Sequence, residues 1–133
     1  MLRMKTRAQF QAVLAGTTVA RTSHFALHRR VIDPADSSRP SEPGRHPAPL
    51  FDGEGPWLGA MVPKRWARRA VTRNAIKRQI YQVSAGAELG AQQAAFLVRL
   101  RAAFDKARFP SASSPALKLA VREELQRLFE RAK

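Results

Sequence analysis

Between Arg68 and Val83 the side chains of Thr72, Ile76, Ile80 and Val83 recur at helical spacing. At about 100° per residue they share one side of a helix, and Arg73, Asn74, Lys77 and Arg78 fall on the adjoining side. The longer stretch from Lys64 to Val83 holds seven cations, Lys64, Arg65, Arg68, Arg69, Arg73, Lys77 and Arg78, and no carboxylate. A helix of this kind must lay its apolar stripe on a core and leave the cationic stripe in water. The remainder of the chain therefore has to supply a core that receives it, and the exposed stripe is suited to a phosphate backbone.

The charge balance agrees. With 24 Lys+Arg against 10 Asp+Glu in 133 residues, the net charge is +14 and the pI near 11.7. A domain this basic repels itself unless a polyanion neutralises it, which makes nucleic acid the leading partner and an anionic membrane the other candidate. The acids are unevenly placed: residues 1–32 and 56–87 contain none, and five (Asp33, Asp36, Glu42, Asp52, Glu54) sit in the segment between. Cysteine is absent, which excludes disulfides and thiolate metal sites. The first residues lack an apolar signal core, and no apolar run approaches the roughly 18 residues of a membrane span, so a soluble, cytoplasmic protein without membrane partners is expected.

Thr6 and Gln9 have the spacing of a capping box, and Phe10, Val13 and Leu14 follow at helical intervals before Gly16, predicting a helix over 7–15. Residues 23–32 are β-prone and predict a strand. The segment 33–56 holds six of the nine prolines and no periodicity, and reads as a flexible insertion within a single domain spanning 1–133. Residues 57–62 read as a buried strand ended by Pro63. After the basic helix, 84–94 reads as a helix end and a loop. Phe96, Val98 and Leu100 then alternate with Leu97, Arg99 and Arg101, predicting a strand with one buried and one basic face. Ser114-Pro115 opens a last helix striped by Leu117, Val121, Leu125 and Leu128. The order α-β-β-α-β-α predicts an α+β fold, a two-layer α/β sandwich with helices on one face of a small mixed sheet.

A protein nuclease needs carboxylates that hold a metal or a histidine-based acid/base pair. Outside 33–56 the acids are Glu88, Asp105, Glu123, Glu124 and Glu130, and the three on the last helix read as surface ion pairs. His24 and His28, four apart on a predicted strand, are expected to face the same side, as a solvated or RNA-facing pair rather than a metal site. No phosphate-binding loop, nucleophile elbow or zinc spacing occurs. The chain therefore predicts no catalytic residue and no metal site of its own. Phe25 reads as core, whereas Phe10 suits either packing or stacking on an unpaired base. Trp66 suits either stacking or anchoring at the helix entrance.

Val62-Pro-Lys-Arg65 leading into Arg69-Ala-Val-Thr-Arg-Asn-Ala-Ile-Lys-Arg78 resembles the protein component of bacterial ribonuclease P, in which a strand and basic turn precede a helix of the pattern Ala-Val-x-Arg-Asn-Arg-x-Lys-Arg. Phe10–Leu14, Gly16–Ala20, Phe25–Leu27, the strand near 96–101 and the closing helix are similar too. The resemblance implies a ribosomal-protein-like sandwich with a left-handed β-α-β crossover around the basic helix. It implies that a partner RNA performs the magnesium-dependent hydrolysis that releases the 5′ leader of precursor tRNA. Lys64, Arg65, Arg68, Arg69, Arg73, Asn74, Lys77 and Arg78 would contact the catalytic RNA, and Phe10, Leu14 and His28 would face the leader. Ala75 stands where the family pattern carries a second arginine, and Leu14 and His28 stand where aromatics are common. The alternatives are an RNA-binding protein of another ribonucleoprotein, of ribosomal type, and a DNA-binding helix-turn-helix protein. The predicted strand ahead of the basic helix argues against the last, so no DNA partner is expected.

Overall fold

The computed structural model describes residues 2–31, 56–86, 94–104 and 115–132. Along the chain run β1 (Leu2–Arg3), α1 (Arg7–Leu14), β2 (Thr17–Arg21), β3 (Phe25–Val31), β4 (Trp57–Met61), α2 (Ala70–Ala85), β5 (Ala94–Leu100) and α3 (Pro115–Arg131). The strands form one mixed sheet in the order β1-β4-β5-β3-β2. β5 lies at its centre, parallel to β4 and antiparallel to β3, and α2 makes the crossover between the adjacent parallel strands β4 and β5.

Side-chain alternation divides the sheet into two unlike faces. Leu58, Ala60, Phe96, Val98, Leu100, Phe25 and Leu27 point to one side, where Ile76 and Ile80 of α2 and Leu117, Val121, Leu125 and Leu128 of α3 close over them in one buried cluster. The smaller helix takes the opposite side: Val13 packs with Met4, Ala95 and Leu97, and half-buried Phe10, Trp57 and Met61 flank that group. The two long helices thus cover one face as expected, and α1 covers the other. Two-sided coverage also explains β5, whose Leu97 was expected on a basic face and instead is fully buried under α1. Of that strand, Arg99 alone reaches partial exposure.

The capping box forms as the sequence reads. The Thr6 hydroxyl accepts from Gln9 N at 3.2 Å, and Gln9 Oε1 accepts from Thr6 N at 3.0 Å and Lys5 N at 2.7 Å. A side chain at Gly16 would bring a Cβ 2.6 Å from the Arg29 carbonyl oxygen, so the α1–β2 turn can press against β3 only with glycine there. Two strands go beyond the expected elements. β1 is only two residues long, held by Leu2 N to Pro56 O (3.0 Å) and Met4 N to Leu58 O (2.9 Å). β2 pairs with β3 through a register shift between Thr18 and Ala20, and that bulge breaks the period of two which would have announced it. The Pro-rich insertion, apart from Pro56, lies outside the described residues, as does Ser114.

Candidate nucleic-acid interface

The basic segment begins where β4 ends. Trp66 N and Ala67 N both donate to the Pro63 carbonyl at 3.1 Å, closing a tight turn that raises Lys64 and Arg65 into solvent. The helix proper starts at Ala70 rather than near Arg68. Ile76 and Ile80 are fully buried and Thr72 and Val83 half-buried, as the apolar stripe requires. Lys64, Arg65, Arg68, Arg69, Asn74 and Arg78 are exposed, and Arg73 and Lys77 are partly so. Among the described residues none of these cations forms an ion pair, because the one ion pair present joins His24 to Glu124.

Arg73 differs from its neighbours. Its Nη1 donates to the carbonyls of Ala67 (3.0 Å) and Arg68 (2.7 Å), so the guanidinium braces the turn that carries the exposed arginines. Trp66 packs against the core, with the Arg65 guanidinium 5.2 Å from its ring centroid, so it anchors the helix entrance. Ala75 is half-buried, beside Arg78 on the flank of the cationic row.

On the opposite face, the strand registers align two cross-strand rows. One runs Arg21–Ala26–Arg99–Met61 and the next Thr18–His28–Leu97–Gly59. Phe10 lies over the second row: a Cβ built on Gly59 would come 2.7 Å from Phe10 Cε1. His28 sits two strands away, about 10 Å from Gly59 at ordinary strand spacing. Phe10 is half-buried and Leu14 is 38% exposed, so both reach solvent on this face. His28 does not, at 4% exposure. Its Nδ1 lies 3.1 Å from the Thr18 hydroxyl, and Arg99 Nε donates to its Nε2 at 3.3 Å. Accepting from Arg99 leaves the ring proton on Nδ1, toward Thr18. Burial, then the charges of Arg99 and Arg21, hold the imidazole pKa below its ordinary value. His28 thus orients Arg99 instead of presenting its own ring. Arg99 joins Phe10 and Leu14 on this face, and its only mark in the sequence is its place among the alternating residues of β5.

The expectation that His24 and His28 share a side fails because His24 precedes β3, in the bend that returns from β2. Its Nδ1 lies 2.7 Å from Glu124 Oε1, and its ring stacks on Phe104 with centroids 4.0 Å apart. Glu124, expected in a surface ion pair, is 5% exposed and also accepts from the Thr22 hydroxyl (2.6 Å) and His24 N (2.7 Å). Among the described residues, no three His, Cys, Asp or Glu side chains gather to hold a metal. The enclosed Glu124 carboxylate is spent on Thr22 and His24. No described helix is long and apolar enough to cross a membrane.

The model of one protein family, Ribonuclease P, matches residues 1–133. The chain belongs to the ribonuclease P protein family. It is 34% identical over 124 residues to the ribonuclease P protein component of Ralstonia pickettii, covering 92% of this chain and 72% of that one. The corresponding component of Bordetella parapertussis is 31% identical over 129 residues, covering 97% and 89%. The Staphylococcus aureus RNase P protein structure superposes with a TM-score of 0.62 at 20% identity over 100% of this chain and 96% of that one, a likeness of fold. Membership makes the chain a protein subunit of the ribonuclease P endonuclease, a ribonucleoprotein, and displaces the ribosomal-type alternative. The helix-turn-helix alternative falls with β4, because a strand and a turn precede α2.

Proposed function

We propose that the chain serves ribonuclease P through two surfaces. The turn from Lys64 and the exposed stripe of α2 hold the catalytic RNA through its phosphates, and the face under α1, with Phe10, Leu14 and Arg99, guides the single-stranded leader of precursor tRNA. His28 contributes by setting the Arg99 guanidinium. Magnesium and the hydrolysis that frees the tRNA 5′ end belong to the RNA in this reading, and the setting is the cytoplasm. The observation that carries it is the row of cations without ion-pair partners among the described residues, on a helix whose other side is locked into the core. Cations presented in this way replace condensed counterions on an RNA backbone.

The test is reconstitution. The purified chain should cleave no precursor tRNA alone, and should restore cleavage by the catalytic RNA at magnesium concentrations too low for the RNA by itself. Failure of that rescue, with the chain shown to be folded, would sink the proposal.

A further inference from the structure

A cavity of about 280 Å³ opens at the β2–β3 turn, roofed by the C-terminal half of α3. Arg21, Arg101, Arg127 and Arg131 line it, together with Thr22 and Glu124. On α3, Glu124, Arg127 and Arg131 stand three and then four residues apart, so one helix face delivers all three. None of these arginines forms an ion pair among the described residues. Glu124, the acid in the cavity wall, is already engaged by the Thr22 hydroxyl, His24 N and the His24 ring.

Two of the arginines are held in place by backbone. Arg101 Nη1 donates to the carbonyls of Thr22 (2.7 Å) and Ser23 (3.3 Å), and Arg131 Nη1 donates to that of Arg21 (2.6 Å). Each such bond uses one nitrogen of a five-donor fork and leaves the rest for a ligand. The turn itself is stiffened by Phe25 N donating to the Thr22 hydroxyl (3.3 Å) and by the His24–Phe104 stack. Arg21 turns its side chain to the α1 face with Arg99 and gives the cavity its backbone carbonyl. The three guanidiniums of Arg101, Arg127 and Arg131, two of them fixed and none in an ion pair among the described residues, form a receptor for a multiply charged oxyanion.

We propose that this cavity is a phosphate-binding site, separate from the α2 stripe, and that in the assembled enzyme it takes a phosphodiester of an RNA strand. The phosphate site stands on its own; its assignment to RNA deepens the functional reading above. The probe for the first part is inorganic phosphate, added to the full chain at constant ionic strength while arginine Nε–H resonances are followed by NMR. Signals of Arg101, Arg127 and Arg131 should shift and saturate, and Arg127→Gln with Arg131→Gln together should weaken binding at least tenfold. Arg127→Lys, which keeps the charge but not the fork, should fall between. Shifts that rise without saturating, or that are unchanged in the double variant while its thermal melt matches the parent's, would overturn the site.

The second part reads the salt dependence of catalytic-RNA and precursor-tRNA binding. If an RNA phosphate occupies the cavity, the double variant lowers the slope for one of these RNAs by roughly two units. An unchanged slope with phosphate binding intact overturns the RNA assignment and makes the free ion the ligand. Lys77→Ala with Arg78→Ala is the control for the function itself: it should weaken RNA binding and leave the phosphate titration untouched. The two readings therefore fail separately.

Discussion

The two faces of the sheet are made by the same five strands and end up covered in different ways. Under α2 and α3 the inward residues are apolar and almost wholly shielded from solvent. Under α1 the helix is half as long, Phe10 and Met61 are left half-covered, and a Thr18–His28–Arg99 chain of hydrogen bonds occupies the gap. A polar relay survives beside the core because every member has a partner, whereas one unsatisfied group there would cost about 1–3 kcal/mol. Incomplete coverage is what leaves Phe10 and Leu14 partly open to solvent on the second face.

The contrast can be broken most severely from the sealed side. Leu125 is fully buried, and Leu125→Ala should cost about 2–5 kcal/mol in chemical denaturation. Leu14→Ala, on a residue 38% exposed, should stay within about 0.5 kcal/mol. Equal losses would mean that α1 seals its face as tightly as the long helices seal theirs. Next comes Phe10→Ala, expected to weaken binding of a leader-bearing precursor tRNA by about 1–3 kcal/mol relative to one without a leader, measured by fluorescence titration. Loss that is equal for both substrates would return Phe10 to a packing role.

Lys77→Ala and Arg78→Ala should each lower the salt slope of catalytic-RNA binding by roughly one unit. Arg73→Ala is a poorer probe because it also unbraces the Ala67 and Arg68 carbonyls. The smallest effect belongs to His28. Its folded pKa lies below the ordinary imidazole value, so the unfolded chain binds the proton more readily. Stability should be unaffected by this group above that value, about 6.5, and should fall as pH drops below it and through the lowered folded value. His28→Asn should flatten that part of the stability profile, and an unflattened profile would show that the relay does not depend on a neutral ring.

Local chemistry made much of this legible. The capping box at Thr6, the stripe through Ile76 and Ile80 and the last helix all depend on neighbours within one or two turns, and they form as the sequence reads. The parts that were not legible depend on distant partners. Glu124 is buried because Thr22 and His24, a hundred residues earlier in the chain, need its oxygens, and no spacing on α3 announces that. Arg73 looks like its neighbours on the stripe until the turn before it closes. Alternation alone puts Leu97 on the basic face, because it cannot tell a solvent-facing strand from one covered on both sides. In the candidate site, the cationic row could be read directly, and the orientation of Arg99 by His28 could not.

The place of β5 in the sheet has a consequence for how the protein comes into being. The strand that joins β4 to β3 is the last of the five to be synthesised, so until Leu100 is made the sheet has two edges and no middle. The β1–β4 pair and the β2–β3 hairpin remain unjoined during that interval, and the cationic run from Lys64 to Arg78 has already left the peptidyl-transferase centre. Completion of one central strand joins the two halves of the sheet and sets the cationic turn on its scaffold.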